Sequence, residues 1–484
     1  MDPAISSWLF FVRYFHGQAL RQKDTMKNRL NSEDLKREIG LFSATILVIA
    51  NMVGTGIFTT SGFIMKELGN PQTMLFCWFV GGIFALCGAL CYGELGALFP
   101  KAGGEYVFLR ESFGKWMGFL SGWISLIVGF SAPIAAASIA FAGYFFRVVP
   151  AAFNLNLKVT FHGIDMVTVS PAAILAASMI IVFSLLHYHS LSLGTKVQNG
   201  LTVFKISLIC IFIAAGLFWG RGSTSHFSGS LDIGSVFQDK FAVSLIFISF
   251  AYSGWNAAAY LGSEIKRPGK NIPMALFTGT GVVICLYVLL NVIYIYALSP
   301  KQMGGVLEVG ANSAVSLFGK SISNYFSGAI AIGLLSVLSA MIVTGPRVYY
   351  AMAKDGIFFQ IFGKVDKLHR TPGHAIFLQA AIAIVMVVTA SFDKLLIYIG
   401  FTLSLFATIT VLGMIALRMR QPDLKRDYKT VGYPLTPVLF ILGNVWIIYF
   451  SIKSRPIASL LGIVTIGSGI LVYACFSRRR KRKS

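Results

Sequence analysis

Residues 41–63 read LFSATILVIANMVGTGIFTTSGF, an apolar run interrupted at Gly54-Thr55-Gly56. Glycine has no Cβ and costs a helix interior roughly 1 kcal/mol relative to alanine. Two glycines around a threonine midway along such a run mark a place where a helix stops and restarts. The stopped half frees carbonyls near Met52, and the restarted half frees N–H groups near Gly56. In hydrocarbon, protein, water or a ligand must satisfy these groups. The N–H groups suit an anion and the carbonyls a cation, and a zwitterionic amino acid carries both. The other reading of the motif is a glycine pair used for close helix packing. A second interruption, Ser253-Gly254, lies in LIFISFAYSGWNAAAYLGSE (residues 245–264), flanked by Tyr252, Trp255 and Asn256. A third candidate is Lys205 in VFKISLICIFIAAG. An ammonium there either snorkels to the interface or faces a bundle interior as a functional charge.

Positioning such groups requires membrane helices, and the composition supplies them. The 484 residues are 56% hydrophobic and 12% charged, against about 25% charged in soluble domains. The mean hydropathy is +0.72. Twelve candidate spans recur, at 41–63, 72–98, 116–146, 168–189, 200–219, 241–263, 273–298, 323–353, 374–391, 394–417, 435–453 and 457–476. The expectation is an all-α polytopic membrane protein with twelve transmembrane helices. Residues 1–40 read as a cytoplasmic tail, with WLFFVRYF as an interfacial helix or, alternatively, as residues upstream of a start at Met26. No cleavable signal peptide is evident. With the N-terminus inside, about thirty Lys and Arg fall in inside segments and about ten outside, the bias of the positive-inside rule. Both termini are then cytoplasmic. This placement accounts for the net charge of +22 without nucleic acid, and the basic tail at 477–484 suits anionic lipid. All six cysteines fall in apolar spans, which argues against a disulfide framework, and nothing has metal-ligand spacing.

The second interruption lies in the sixth span, after five have passed. Five is odd, so a second five-helix unit enters from the opposite side. Paired breaks in two inverted halves point to a transporter's midplane site. Between spans 2 and 3, FPKAGGEYVFLRESFG (residues 99–114) carries Pro100, Gly103-Gly104, Glu105, Arg110 and Glu111. It reads as a cytoplasmic loop, either plain or re-entrant. A channel would need a repeated filter, which is absent. An enzyme would need a nucleophile elbow, phosphate loop or metal pattern, and none is present. His187 and His189 read as a span-end pair at the interface.

In these residues the chain resembles the amino acid–polyamine–organocation superfamily, and within it the L-type amino acid transporters and their bacterial relatives. Gly54-Thr55-Gly56-Ile57-Phe58 is similar to the family's span 1 motif. Tyr92-Gly93-Glu94-Leu95 and Lys101-Ala102-Gly103-Gly104-Glu105-Tyr106 resemble its span 2 end and first loop. Phe250-Ala251-Tyr252-Ser253-Gly254-Trp255-Asn256 resembles its span 6 gate, followed by Glu264 and the segment 268–273, and RVYYAMAKDG (347–356) its span 8 ending. The resemblance, over roughly residues 38–476, implies a five-plus-five inverted repeat. The first repeat would be 41–219 and the second 241–417, with helices 11 and 12 (435–476) outside.

The same resemblance implies that N–H groups of Thr55 and Gly56 take a substrate carboxylate and that carbonyls of Met52, Phe250 and Ser253 take the ammonium. Phe250 would gate the site, and Asn256 would add a polar contact. The implied substrate-binding set is Met52, Val53, Gly54, Thr55, Gly56, Phe250, Ala251, Ser253, Gly254 and Asn256, with no cofactor. The animal members carry a cysteine between spans 3 and 4 for a disulfide to a heavy chain. Residues 147–167 have none here, so no disulfide-linked heavy chain is expected and a prokaryote-type carrier is favoured. The cystine/glutamate members carry arginines in spans 3 and 10, where this chain has Phe130 and Leu403.

The expected function is sodium-independent secondary transport of neutral L-amino acids, by exchange or coupled to protons, across the plasma or inner membrane. A transporter-like sensor and a carrier of charged amino acids or polyamines are the alternatives. Residues 127–131, 336–343 and 401–408, in spans 3, 8 and 10, would line the side-chain pocket with span 6. They supply apolar residues, Ser and Thr, but no charge. Glu94 and Glu264 lie toward span ends and read as structural. Lys205 aligns with a span 5 lysine whose ammonium replaces a sodium ion in the sodium-independent members, here near Gly54 and Ser339.

Overall fold

The computed structural model describes residues 37–481 apart from 150–156, 162–163, 232, 237, 307, 367–368, 370, 390–391 and 455. The expected tail at 1–40 lies almost wholly outside them, as does the end of the basic tail. Eight helical stretches among the described residues are long and apolar enough to cross a membrane, and one bent pair makes a ninth. With the shorter apolar helices at Val309–Phe318, Gly373–Thr389 and Ser459–Ala474, the chain is a multi-pass membrane protein, nearly all helical.

The bent pair is α1 (Leu41–Met52) and α2 (Thr55–Leu68), which meet at 40°. Gly54 sits between them in extended conformation (φ −122°, ψ −153°), the break that the glycine–threonine–glycine sequence predicts. α3 (Pro71–Leu98) starts where Asn70 caps the N–H groups of Gln72 and Thr73 at 2.9 and 3.1 Å, with proline pre-set at the first helical position. The loop expected at 99–114 contains a helix, α4 (Glu105–Phe113), whose residues 105–109 are buried. Glycines at 103 and 104, with φ of 116° and 51°, make the turn into it.

α5 (Lys115–Ile124) passes through a π-helical turn (Ser125–Ser131) into α6 (Ala132–Val148), a change of winding that apolar periodicity does not reveal. Next comes an antiparallel hairpin, β1 (Leu157–Phe161) and β2 (Ile164–Val169), with Leu157 opposite Val169. It departs from the all-α expectation because LKVTF and IDMVTV are short and β-branched, and too polar to be a span. α7 (Pro171–His189) and α8 (Leu191–Trp219) follow, with Ser190 capping α8.

The sixth expected span is divided into α9 (Asp239–Tyr252) and a single turn, α10 (Ala257–Tyr260), separated by residues 253–256. α11 (Pro268–Ala297) packs along both α3 and α1. α12 (Val309–Phe318) leads to α13 (Lys320–Thr344) and α14 (Pro346–Lys354), which divide the expected eighth span at Gly345. α13 lies against α6, and α9 against α2. α15 (Gly373–Thr389), α16 (Phe392–Arg420), α17 (Leu435–Ser454) and α18 (Pro456–Lys481) complete the chain.

Candidate substrate site at the two helix breaks

The two breaks touch each other. A Cβ at Gly56 would stand 2.6 Å from the Ala251 Cα, and one at Gly254 would stand 2.8 Å from the Asn51 carbonyl oxygen. Gly254 also has φ of +95°, a backbone region that side chains disfavour. Glycine at these positions lets the α1–α2 junction and the end of α9 meet backbone to backbone. Ser253 N–H donates to the Phe250 carbonyl at 3.0 Å and so closes α9. No side chain caps the start of α2. The hydroxyls of Thr59 and Thr60 turn back to the carbonyls of Thr55 and Gly56 at 2.9 and 2.8 Å, so neither reaches the leading N–H groups.

The freed carbonyls have protein partners. Tyr287 of α11 places its hydroxyl 2.7 Å from the Met52 oxygen and 3.0 Å from the Ala251 oxygen. Lys205 of α8 is fully buried. It donates to the Val53 carbonyl and, at 3.3 Å, to the Ala50 carbonyl. Its stem runs beside Gly333 of α13, where a Cβ would stand 3.3 Å from Lys205 Cγ. Lys205 therefore does not snorkel. The Ser339 expected near it has a different partner, His187, whose Nε2 lies 2.8 Å from Ser339 Oγ. His187 is buried rather than interfacial, because Gly194 leaves room for its ring. His189 is the partner that stays at the surface, 3.4 Å from His369.

A cavity of about 70 Å³ adjoins the second break. Ser249, Ser253 and Asn256 border it, with Leu403, Ser404 and Ala407 of α16, Phe84 of α3, Asn444 of α17 and Glu105 of α4. Spans 6 and 10, expected around the side-chain pocket, border this cavity. Spans 3 and 8 do not, and spans 2 and 11 take their place. The reason is packing: Phe130 stacks edge-on against Tyr260 at 5.3 Å, and Val337 lies 3.7 Å from where a Gly54 Cβ would be. Phe250 is buried beside the break. Asn256 is directed away from it, donating to Glu105 Oε1 at 3.0 Å and lying 3.4 Å from the Tyr260 hydroxyl. Tyr92 donates to the same Glu105 oxygen at 2.5 Å. Burial pushes the Glu105 carboxyl up to about 7, against the opposing effect of these two hydrogen bonds.

The carboxylates expected to be structural are paired. Glu264 meets Arg347 in a two-pronged ion pair at 3.0 and 3.1 Å, both side chains buried. Arg347 also donates to the Val343 carbonyl at 2.6 Å. The backbone of Ile39 bonds to Glu264 and Lys266, each at 2.9 Å, tying the segment before α1 to the end of the sixth span. Glu94 accepts from Arg418 at 2.8 and 2.5 Å, and from the N–H and hydroxyl of Thr430, both at 2.7 Å.

Sequence reasoning missed Tyr287, the Tyr92–Glu105–Asn256 group and the His187–Ser339 pair. For Glu105 a signal existed, since it follows two glycines in a loop too polar for lipid. For Tyr287 there was none, because one tyrosine in an apolar span has no distinguishing spacing.

The amino-acid sequence has known relatives. The chain is 29% identical over 454 residues to the large neutral amino acids transporter small subunit 2 of Mus musculus, covering 91% of this chain and 81% of that protein. It is 30% identical over 460 residues to the serine/threonine exchanger SteT of Bacillus subtilis (strain 168), covering 93% of this chain and 100% of that one. It is 29% identical over 466 residues to the b(0,+)-type amino acid transporter 1 of Mus musculus, covering 94% and 91%. Residues 39–475 match the amino acid permease family, and the chain belongs to that family.

Proposed function

We propose that the protein is a secondary transporter of neutral L-amino acids, independent of sodium, that works by alternating access and exchanges substrates or couples to protons. The observation that carries this reading is the meeting of two interrupted helices whose freed carbonyls are held by Tyr287 and Lys205. The N–H groups of Thr55 and Gly56 receive the substrate carboxylate. Met52, Phe250 and Ser253 offer carbonyl lone pairs to the ammonium, since a carbonyl accepts two hydrogen bonds. Val53, Gly54, Ala251 and Gly254 shape the backbone around it, Phe250 gates the site, and Asn256 acts at its rim. Lys205 supplies an ammonium, as a coupling or a structural charge, where a coupling cation would otherwise sit.

The cavity lining supports a neutral substrate. Its one acidic or basic side chain, among the described residues, is Glu105. With no basic group there among the described residues, nothing compensates an acidic substrate side chain, whose desolvation costs several kcal/mol. The names of the relatives, a large neutral amino acids transporter subunit and a serine/threonine exchanger, support this reading. In the same reading the chain has twelve spans in a five-plus-five inverted repeat, 41–219 and 241–417, with 435–476 outside. It lies in the cell membrane with both termini cytoplasmic and needs no disulfide-linked heavy chain, as residues 147–167 contain no cysteine.

Counterflow in proteoliposomes with a labelled amino acid panel, with and without sodium and pH gradients, tests the proposal. Saturable, stereoselective counterflow of alanine, serine, leucine or phenylalanine without sodium is expected. Binding without counterflow would make the protein a sensor, and preferred lysine or glutamate transport would contradict the neutral assignment.

A further inference from the structure

Amino acid binding at the helix breaks leaves Glu105 without a role. Its side chain is buried, the residue being 5% exposed, and among the described residues no cation meets it. The charged groups on the elements around it are engaged elsewhere. On its own helix, Arg110 pairs with Asp355 and with Glu111. Lys101, just before the helix, also lies beside Glu111. Arg347 of α14 is held by Glu264, and Arg418 of α16 and Arg426 by Glu94 of α3. The titratable groups that face Glu105 are two tyrosines, Tyr92 of α3 and Tyr260 of α10.

The hydrogen bonds are lopsided. Tyr92 and Asn256 both donate to Oε1, and Oε2 has no partner among the described residues while the side chain borders the cavity. A carboxylate in this setting would carry buried charge with no cation beside it, which is disfavoured. A carboxylic acid fits, because Oε1 accepts both bonds as its carbonyl oxygen and Oε2 is left to carry the proton.

We propose that Glu105 is a proton-binding site of the transport cycle, holding its proton while α4, α3 and the sixth span are joined and releasing it when they part. On release the O–H bond at Oε2 breaks, the proton passes to water entering the cavity, and hydration stabilises the carboxylate left behind. Asn256 links this event to the substrate site, since it follows Gly254 by two residues at the second break. The joined arrangement binds the proton more tightly, so acid favours it and rising pH favours separation. The coupling rests on the transport reading, whereas the protonation itself does not.

Infrared difference spectroscopy of the purified full chain in lipid nanodiscs, without substrate, separates the two. From mildly acid to mildly alkaline pH, a carboxylic C=O band above the amide I region is expected to disappear near neutrality. The band should be absent in Glu105→Gln, whose amide keeps the shape and a donor toward the cavity. No such band in the wild type, or the same band in Glu105→Gln, overturns the proposal even if transport fails altogether. In counterflow, the wild-type rate should change severalfold over the same pH range while Glu105→Gln stays flat. Glu105→Asp should restore pH dependence with a shifted midpoint. A wild-type pH profile in Glu105→Gln overturns the coupling.

Discussion

The Tyr287 hydroxyl donates to the Met52 carbonyl oxygen at 2.7 Å, joining residues 235 apart in sequence. Because the Ala251 carbonyl oxygen lies 3.0 Å from the same hydroxyl, one side chain of α11 ties the end of α1 to the end of α9. The two helix ends are thus held as one unit while neither has a helical partner for its last carbonyls.

Tyr287→Phe removes that donor and leaves both carbonyls buried with less satisfaction. A loss of about 1–3 kcal/mol is expected, read as a lower thermal unfolding temperature. The exchange rate should fall with it, because the break geometry loosens. Unchanged melting and unchanged counterflow together would show that the hydroxyl is dispensable.

Lys205→Met keeps most of the length of the stem and removes the charge, leaving the Val53 and Ala50 carbonyls without the ammonium. Hydrogen bonds to charged groups contribute about 1.5–3 kcal/mol, so Lys205→Met and Lys205→Ala should both lose most activity. Full activity of both variants at every pH would leave the lysine without a mechanistic role. A requirement of the wild type for a sodium gradient would remove the proposed reason for its presence.

Gly56→Val should abolish substrate binding while membrane insertion persists. Its Cβ would fall 2.6 Å from the Ala251 Cα, which forces the two breaks apart, and the branched side chain crowds the N–H groups proposed to take the carboxylate. Scintillation-proximity binding on protein that elutes as a single species checks this. Near-normal affinity would place the carboxylate elsewhere.

Glu264 and Arg347 form the buried pair that closes the end of the sixth span against α14. Removing one partner strands the other charge, at a cost of about 3–5 kcal/mol. Arg347→Met and Glu264→Gln should each destabilise strongly, and the double variant should be less damaged than the two losses added together. Strict additivity in melting experiments would mean the two residues act independently.

Both breaks were legible in the sequence because glycine inside an apolar run weakens the helix that the run would otherwise form, and the structural role of Glu94 and Glu264 followed from their place at span ends. The partners of the freed carbonyls were less legible. Lys205 stood out as a charge among apolar residues, yet its acceptors are backbone atoms of Ala50 and Val53, and no side-chain identity encodes those. The cavity was half readable: α16 supplies Leu403, Ser404 and Ala407 as expected, but bulk at Phe130 and Val337 fills the other expected walls. Side-chain volume in three dimensions decides that, and periodicity does not contain it. His187 was misplaced for a related reason, since the hole that admits its ring is made by Gly194, seven residues further on in the next helix.

The π turn at Ser125–Ser131 sets a phase for everything after it. One residue wound into a wider turn rotates the following helix by about 100° relative to a regular α-helix. That rotation sets which side chains of α6 meet α13, in a stretch where residues 132–138 are all buried. Deleting a single residue such as Gly129 would restore regular winding and turn different side chains of this enclosed stretch toward α13. A length change in the stretch should therefore be more damaging than a volume-conserving point substitution. A scan of 115–148 should show two helical rhythms of sensitivity, out of step across those seven residues.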